Sequence, residues 1–108
     1  MLRAITFLLE TEGFRVECHG TAESFERADT LSADCLVIDQ RLPDGHGLDI
    51  LDRVRGRGVA TPAMIITSDP PLMVRIRAEA LDARLLEKPL LGDELMSAIR
   101  TLTAILPM

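Results

Sequence analysis

The chain has no tryptophan, no tyrosine and only three phenylalanines in 108 residues, with two cysteines and a single lysine. Without large rings the core has to be aliphatic, and this length bounds the chain to one domain with a modest core, residues 1–108. Cys18 and Cys35 have neither CxxC spacing nor a histidine cluster nearby. That argues against a disulfide framework or a zinc site and suits two small buried thiols in a reducing cytosol. Positive charge is thin too: 12 Lys and Arg stand against 17 Asp and Glu, for a net charge of −5. No nucleic-acid partner is expected, since phosphate backbones call for a basic stripe. Arg53, Arg55 and Arg57 come nearest to one, but residues two apart do not share a helix face, and the three read as a solvated helix end. The apolar run at residues 5–9 is too short for a signal-peptide core or a membrane span, so the expected setting is the cytoplasm, with no membrane partner.

What is present alternates in period. Leu2, Ile5, Leu8 and Leu9 make one face of a helix that Gly13 ends. Residues 14–18 alternate as a strand with one buried face. Thr21 caps a short helix carrying Ala22, Phe25 and Ala28. Residues 35–39 are a continuous apolar run ending in an acid, as a fully covered parallel strand requires. Pro43, Gly45 and Gly47 make a loop, and a helix through Leu48, Leu51 and Val54 follows to Gly56. Residues 63–67 repeat the covered-strand pattern, and Pro70-Pro71 opens a helix to about Leu81. A strand at residues 84–87 precedes Lys88-Pro89, and Asp93 caps a last helix whose stripe is Leu95, Ile99, Leu102 and Ile105. The order predicts an α/β fold with four parallel strands and helices on both faces.

Reactive groups in such sheets gather beyond the carboxyl ends of the strands. Asp39, Thr67 and Lys88 occupy three of those ends: a carboxylate nucleophile, a hydroxyl and a cation, a set that can accept and hold a phosphoryl group. Each alone has an ordinary explanation, Asp39 as a loop residue and Thr67 as a helix cap. Lys88 is the only lysine beside eleven arginines, and a compact ammonium on a flexible stem suits alternate pairing with a carboxylate and a phosphoryl oxygen. Pro89 after it is compatible with a cis bond. A haloacid-dehalogenase-type phosphatase also uses a strand-end Asp, a Thr and a Lys, but it needs a second Asp two residues on, where Arg41 stands. A dinucleotide site fares worse, because Gly45-His46-Gly47 is no GxGxxG. His46 reads as a solvent-facing loop residue, and His19 has no evident partner.

The segment Asp39-Gln-Arg-Leu-Pro43-Asp-Gly-His-Gly47-Leu48 resembles the phosphoacceptor loop of response-regulator receiver domains. Ile65-Ile-Thr67-Ser68 is similar to their strand-end hydroxyl motif, and Lys88-Pro89 to their Lys-Pro motif. The likeness runs from residue 1 to about 105. It implies a three-layer flavodoxin-like fold, not an enzyme, working in a phosphorelay. Asp39 would take a phosphoryl group from a histidine kinase or phosphotransfer protein, Thr67 and Lys88 would bind that group, and Mg²⁺ would be held by Asp39 and the Arg41 backbone carbonyl. The alternative is a receiver-like module that docks or dimerises without phosphorylation.

Three departures shape the expectations. Receivers carry an acid pair at the end of a first strand, further upstream than the 38 residues before Asp39 allow, so Mg²⁺ should be weakly held. Asp44 and Asp69 are substitute acids on paper but read as turn and cap residues. The family's aromatic switch position is Leu85, and Asp82-Ala83 stands for its Gly-Ala. Without the first strand, a slot opens between residues 14–18 and 35–39. Unpaired backbone groups there cost about 1–3 kcal/mol each, so the expectation is closure by sliding, a strand from another chain, or a homodimer through the open slot.

Overall fold

The structure, a computed structural model, describes residues 2–28, 32–90 and 94–104. Helix α1 (Leu2–Thr11) ends as its spacing predicts. Gly13 takes φ +93°, a region open to glycine, and the Phe14 N–H reaches back to the Leu9 carbonyl at 3.0 Å. Helix α2 (Ala22–Arg27) starts at Thr21, whose side chain accepts the Ser24 N–H.

Strands β1 (Leu36–Asp39), β4 (Ala63–Thr67) and β5 (Ala83–Glu87) form a parallel sheet in the order β1-β4-β5. Each step is a crossover through a helix: α3 (Gly47–Gly56), then α4 (Leu72–Ala80). Between β1 and α3, β2 (Arg41–Leu42) and β3 (Gly45–His46) pair in a small antiparallel ladder that the loop composition did not announce. Helix α5 (Glu94–Ala104) closes the described chain. Asp93 and Ile105 lie outside the described residues.

Every residue of β4 is buried, as expected of the middle strand. Its side chains alternate between two aliphatic clusters. Ala63 and Ile65 join Leu36, Ile38, Leu48, Leu51 and Val54 beneath α3. Met64 and Ile66 join Leu9, Leu95, Met96 and Ile99 beneath α1 and α5. This is the three-layer arrangement expected.

One strand is missing from the expected four. Residues 14–18 make no ladder among the described residues, although Phe14 and Val16 do turn toward the cluster under α5. Alternation set the side-chain faces, but a strand also needs a neighbour in hydrogen-bonding range, and a cleft of about 990 Å³ separates this segment from β1. Among the described residues this segment has not slid over to pair with β1.

Two further expectations need correction. Cys18 is exposed and Cys35 half-buried, and both thiols are free. Burial pushes the Cys35 thiol up to about 11. Of the arginine trio only Arg55 departs from a solvated end, since Arg53 and Arg57 are exposed. Arg53 and Arg57 reach Glu26 of α2. Arg55 turns the other way and donates to the carbonyls of Leu81, Val59 and Thr61 at 3.0, 3.0 and 2.7 Å. Its partly desolvated guanidinium thereby ties together the turns that follow α3 and α4. Arg55→Ala is expected to lower unfolding free energy by about 2 kcal/mol, since charge-assisted bonds are lost and carbonyls left unpaired; urea denaturation gives the value. A change within a few tenths would mean that water replaces the guanidinium without penalty.

Candidate functional site

The parallel register brings three strand ends to one rim. Asp39 ends β1 opposite Ile66, Thr67 ends β4 opposite Glu87, and Lys88 follows β5 directly. The Lys88 N–H donates to the Thr67 carbonyl at 2.7 Å, locking the β5 exit to the end of β4. The Lys88–Pro89 bond is cis. Lys88 Nζ lies 3.1 Å from Asp39 Oδ2 and 3.3 Å from Oδ1. Asp39 is 35% exposed and Lys88 23%, so the pair is wet enough to be reached from solvent. Thr67 is 7% exposed at the adjoining strand end. All three residues singled out in the sequence therefore meet the same rim, and two of them touch.

The loop after Asp39 is held by groups that the motif only hinted at. The Arg41 N–H donates to Asp39 Oδ1 at 3.2 Å. Gln40 does two jobs: its N–H continues the β1–β4 ladder to the Ile66 carbonyl, and its side-chain oxygen accepts the Leu48 N–H at 3.0 Å. That bond caps α3, because His46 at the N-cap position makes no side-chain cap bond. Gly47 lies directly on the site backbone. A Cβ placed there would stand 2.5 Å from the Asp39 carbonyl oxygen and 2.9 Å from Ile38 Cγ2. The sequence showed Gly47 as a loop residue of the motif without its physical reason, which is close approach.

Asp44 turns away from Asp39 and accepts the Ala22 and Glu23 N–H groups at 2.7 and 3.1 Å, and these bonds hold its carboxyl below the usual carboxylate range. It is a cap supplied to α2 from a distant loop. Asp69 occupies a left-handed turn at φ 42°. Leu85 is half-buried against the cluster under α3. His46 is exposed, as expected. His19, expected to lack partners, has them: Ser24 Oγ at 2.5 Å, Glu17 Oε1 at 3.1 Å and the edge of Phe25. No sequence period signals contacts of that kind.

A carboxylate open to solvent, an ammonium bridging its oxygens and a hydroxyl at the next strand end suit transfer of a small dense anion onto Asp39. The donor set does not suit Mg²⁺. Asp39 is already engaged by Lys88 and Arg41, Asp44 faces α2, and no group of three Asp, Glu, His or Cys gathers among the described residues. Mg²⁺ asks for a near-octahedral oxygen shell. No helix among the described residues is long and apolar enough to cross a membrane.

Comparison with known proteins agrees with this geometry. The family model for the response regulator receiver domain matches residues 1–100. Response regulator protein TmoT of Ectopseudomonas mendocina is 32% identical over 111 aligned positions, covering 99% of this chain and 50% of that protein. The chain thus spans about half the length of the curated relatives it matches. The non-phosphorylated HemR receiver domain from Leptospira biflexa superposes with a TM-score of 0.89 at 23% identity, over 99% of this chain and 88% of that one. The beryllofluoride-activated NtrC4 receiver domain dimer does so at 0.85 and 22%, over 95% of this chain and 87% of that one. Members of the family typically bind Mg²⁺ and take histidine kinases as partners, and dimers occur among the structural neighbours. This chain belongs to the response-regulator receiver domains of two-component signalling, and is not an enzyme in the ordinary sense.

Proposed function

We propose that Asp39 accepts a phosphoryl group from a phosphohistidine on a histidine kinase or phosphotransfer protein. The observation that carries this reading is the Lys88 ammonium bridging both oxygens of a solvent-open Asp39 carboxylate. One Asp39 oxygen forms the new O–P bond as the N–P bond breaks, and the imidazole nitrogen leaves with the bonding pair. Charge in that transfer spreads over the phosphoryl oxygens. Lys88 exchanges its carboxylate contact for one of those oxygens, and the Thr67 hydroxyl donates to another. Asp39 and the Arg41 carbonyl are the ligands that the family resemblance assigns to Mg²⁺; with Asp39 already engaged by Lys88 and the Arg41 N–H, the ion binds weakly, and no step here is routed through it. Leu85 occupies the position that the resemblance assigns to the switch, without a ring to swing. Residues 1–108 act as one receiver unit. Two free thiols favour a cytoplasmic setting.

The test is incubation with acetyl phosphate followed by intact mass. A single phosphoryl adduct is expected on the native chain and none on Asp39→Asn. An adduct of equal extent on both proteins would overturn the assignment.

One observation favours the second reading, a docking module independent of phosphorylation. Leu72, Met73 and Ile76 on α4 are 69%, 72% and 51% exposed, an apolar strip that solvent alone does not explain.

A further inference from the structure

A second constellation, which phosphoryl transfer to Asp39 does not use, lies within residues 17–25. His19 Nδ1 is 2.5 Å from Ser24 Oγ, and His19 Nε2 is 3.1 Å from Glu17 Oε1. Phe25 packs edge to face against the imidazole, with ring centroids 6.0 Å apart and planes at 86°. The His19 side chain is 14% exposed and Ser24 is half-buried. A neutral imidazole that donates from Nε2 to a carboxylate presents the Nδ1 lone pair to the serine, so the Ser24 hydroxyl is the donor. Hydroxyl, base and orienting carboxylate are the three parts of an activated nucleophile. All three line one surface pocket of about 410 Å³, together with Thr21, Glu23 and Arg27.

We propose that Ser24 is a nucleophilic site for neutral activated acyl groups, such as aryl esters and thioesters. Ser24 Oγ bonds to the carbonyl carbon and its proton passes to His19 Nδ1. The bond from that carbon to the leaving group breaks, and the departing alcohol or thiol takes the electron pair and the proton. Charge selects the substrate. Glu23 and Arg27 pair at 2.6 Å, so Glu17 leaves the pocket negative and acyl phosphates are repelled. Turnover is poor. The N–H groups of Ala22 and Glu23 are taken by Asp44, and that of Ser24 by Thr21 Oγ1. None of the three serves a developing oxyanion, which falls to the Thr21 hydroxyl and the Arg27 guanidinium on the pocket wall. The site therefore captures an acyl group that has a good leaving group and keeps it as a serine ester.

The experiment uses the 108-residue chain and diisopropyl fluorophosphate, a neutral probe that bonds an activated serine oxygen at phosphorus, releases fluoride and leaves thiols such as Cys18 unlabelled. The chain has no tyrosine to compete. Peptide mapping is expected to place the label on Ser24 alone. His19→Gln keeps a hydrogen bond but cannot take the proton, and is expected to slow labelling by about 10²-fold; Glu17→Gln should slow it less. The native rate should fall in acid as the imidazole is protonated, and His19→Gln should lose that dependence. The charged groups around the ring are Glu17 on its own segment, Glu23 and Arg27 on α2, and Asp44 at the start of that helix. An unlabelled Ser24 in the native chain overturns the inference, as does equally fast labelling of His19→Gln at an unchanged urea midpoint; the Ser24–His19 bond is then only a brace. Should His19→Gln not fold, a native rate flat with pH overturns it alone. No step involves Asp39, so this proposal and the phosphoacceptor role fail separately.

Discussion

Replacing Gly47 by alanine is expected to destabilise the chain by about 3 kcal/mol, the upper range for an overpacked site. For a domain of this length that lowers Tm by about 10–20 °C. The argument is one of contact, not of φ. A Cβ there meets the Asp39 carbonyl oxygen at 2.5 Å, and neither β1 nor the first turn of α3 gives way easily, because both belong to the same buried cluster. The strain falls on Asp39, so the extent of phosphoryl adduct should drop in the variant even below its melting transition. Gly56→Ala is the control, because its added methyl, at the end of α3, meets nothing within 4 Å; it should be neutral or slightly stabilising. Equal Tm values for the two variants would show that α3 is free to move off β1.

Truncating Lys88 should have its effect on rate instead. Removing a donor that stabilises charge in a transfer costs about 10²–10³-fold, and Lys88→Ala is expected to slow adduct formation on Asp39 by about 10²-fold. Stability should hardly change, since a partly exposed ion pair contributes about 0–1 kcal/mol. Lys88→Arg should recover only part of the rate: the charge is kept, but the larger rigid guanidinium does not take the place of a compact ammonium that shifts from a carboxylate to a phosphoryl oxygen. Rates come from the time course of intact mass at fixed acetyl phosphate. A wild-type rate in Lys88→Ala would mean that the ammonium does not touch the phosphoryl group.

These two residues illustrate how much was legible in advance. Asp39 and Thr67 could be placed at one rim from sequence because a continuous apolar run ending in a polar residue marks both a buried parallel strand and its active end, whereas Lys88 follows a strand of mixed character, Arg84-Leu-Leu-Glu87. Lys88 stood out instead as the only lysine. Gly47, Gln40 and Arg55 were not legible, because their work depends on what lies across space: a carbonyl at close range, a helix start without a side-chain cap, three carbonyls from two turns. The same distinction explains residues 14–18. Period two predicted which side chains face inward, and Phe14 and Val16 do. Pairing was beyond that signal, since it depends on a neighbouring strand.

The central claim is that the carboxylate at the end of β1 is the phosphoryl acceptor. Borohydride reduction of the acetyl phosphate-treated chain converts an acyl phosphate of aspartate to homoserine, and peptide mapping then locates it. Homoserine at position 39 alone is the expected result. Homoserine at another acid, or a phosphoryl group that survives reduction on a hydroxyl or histidine, would contradict the account.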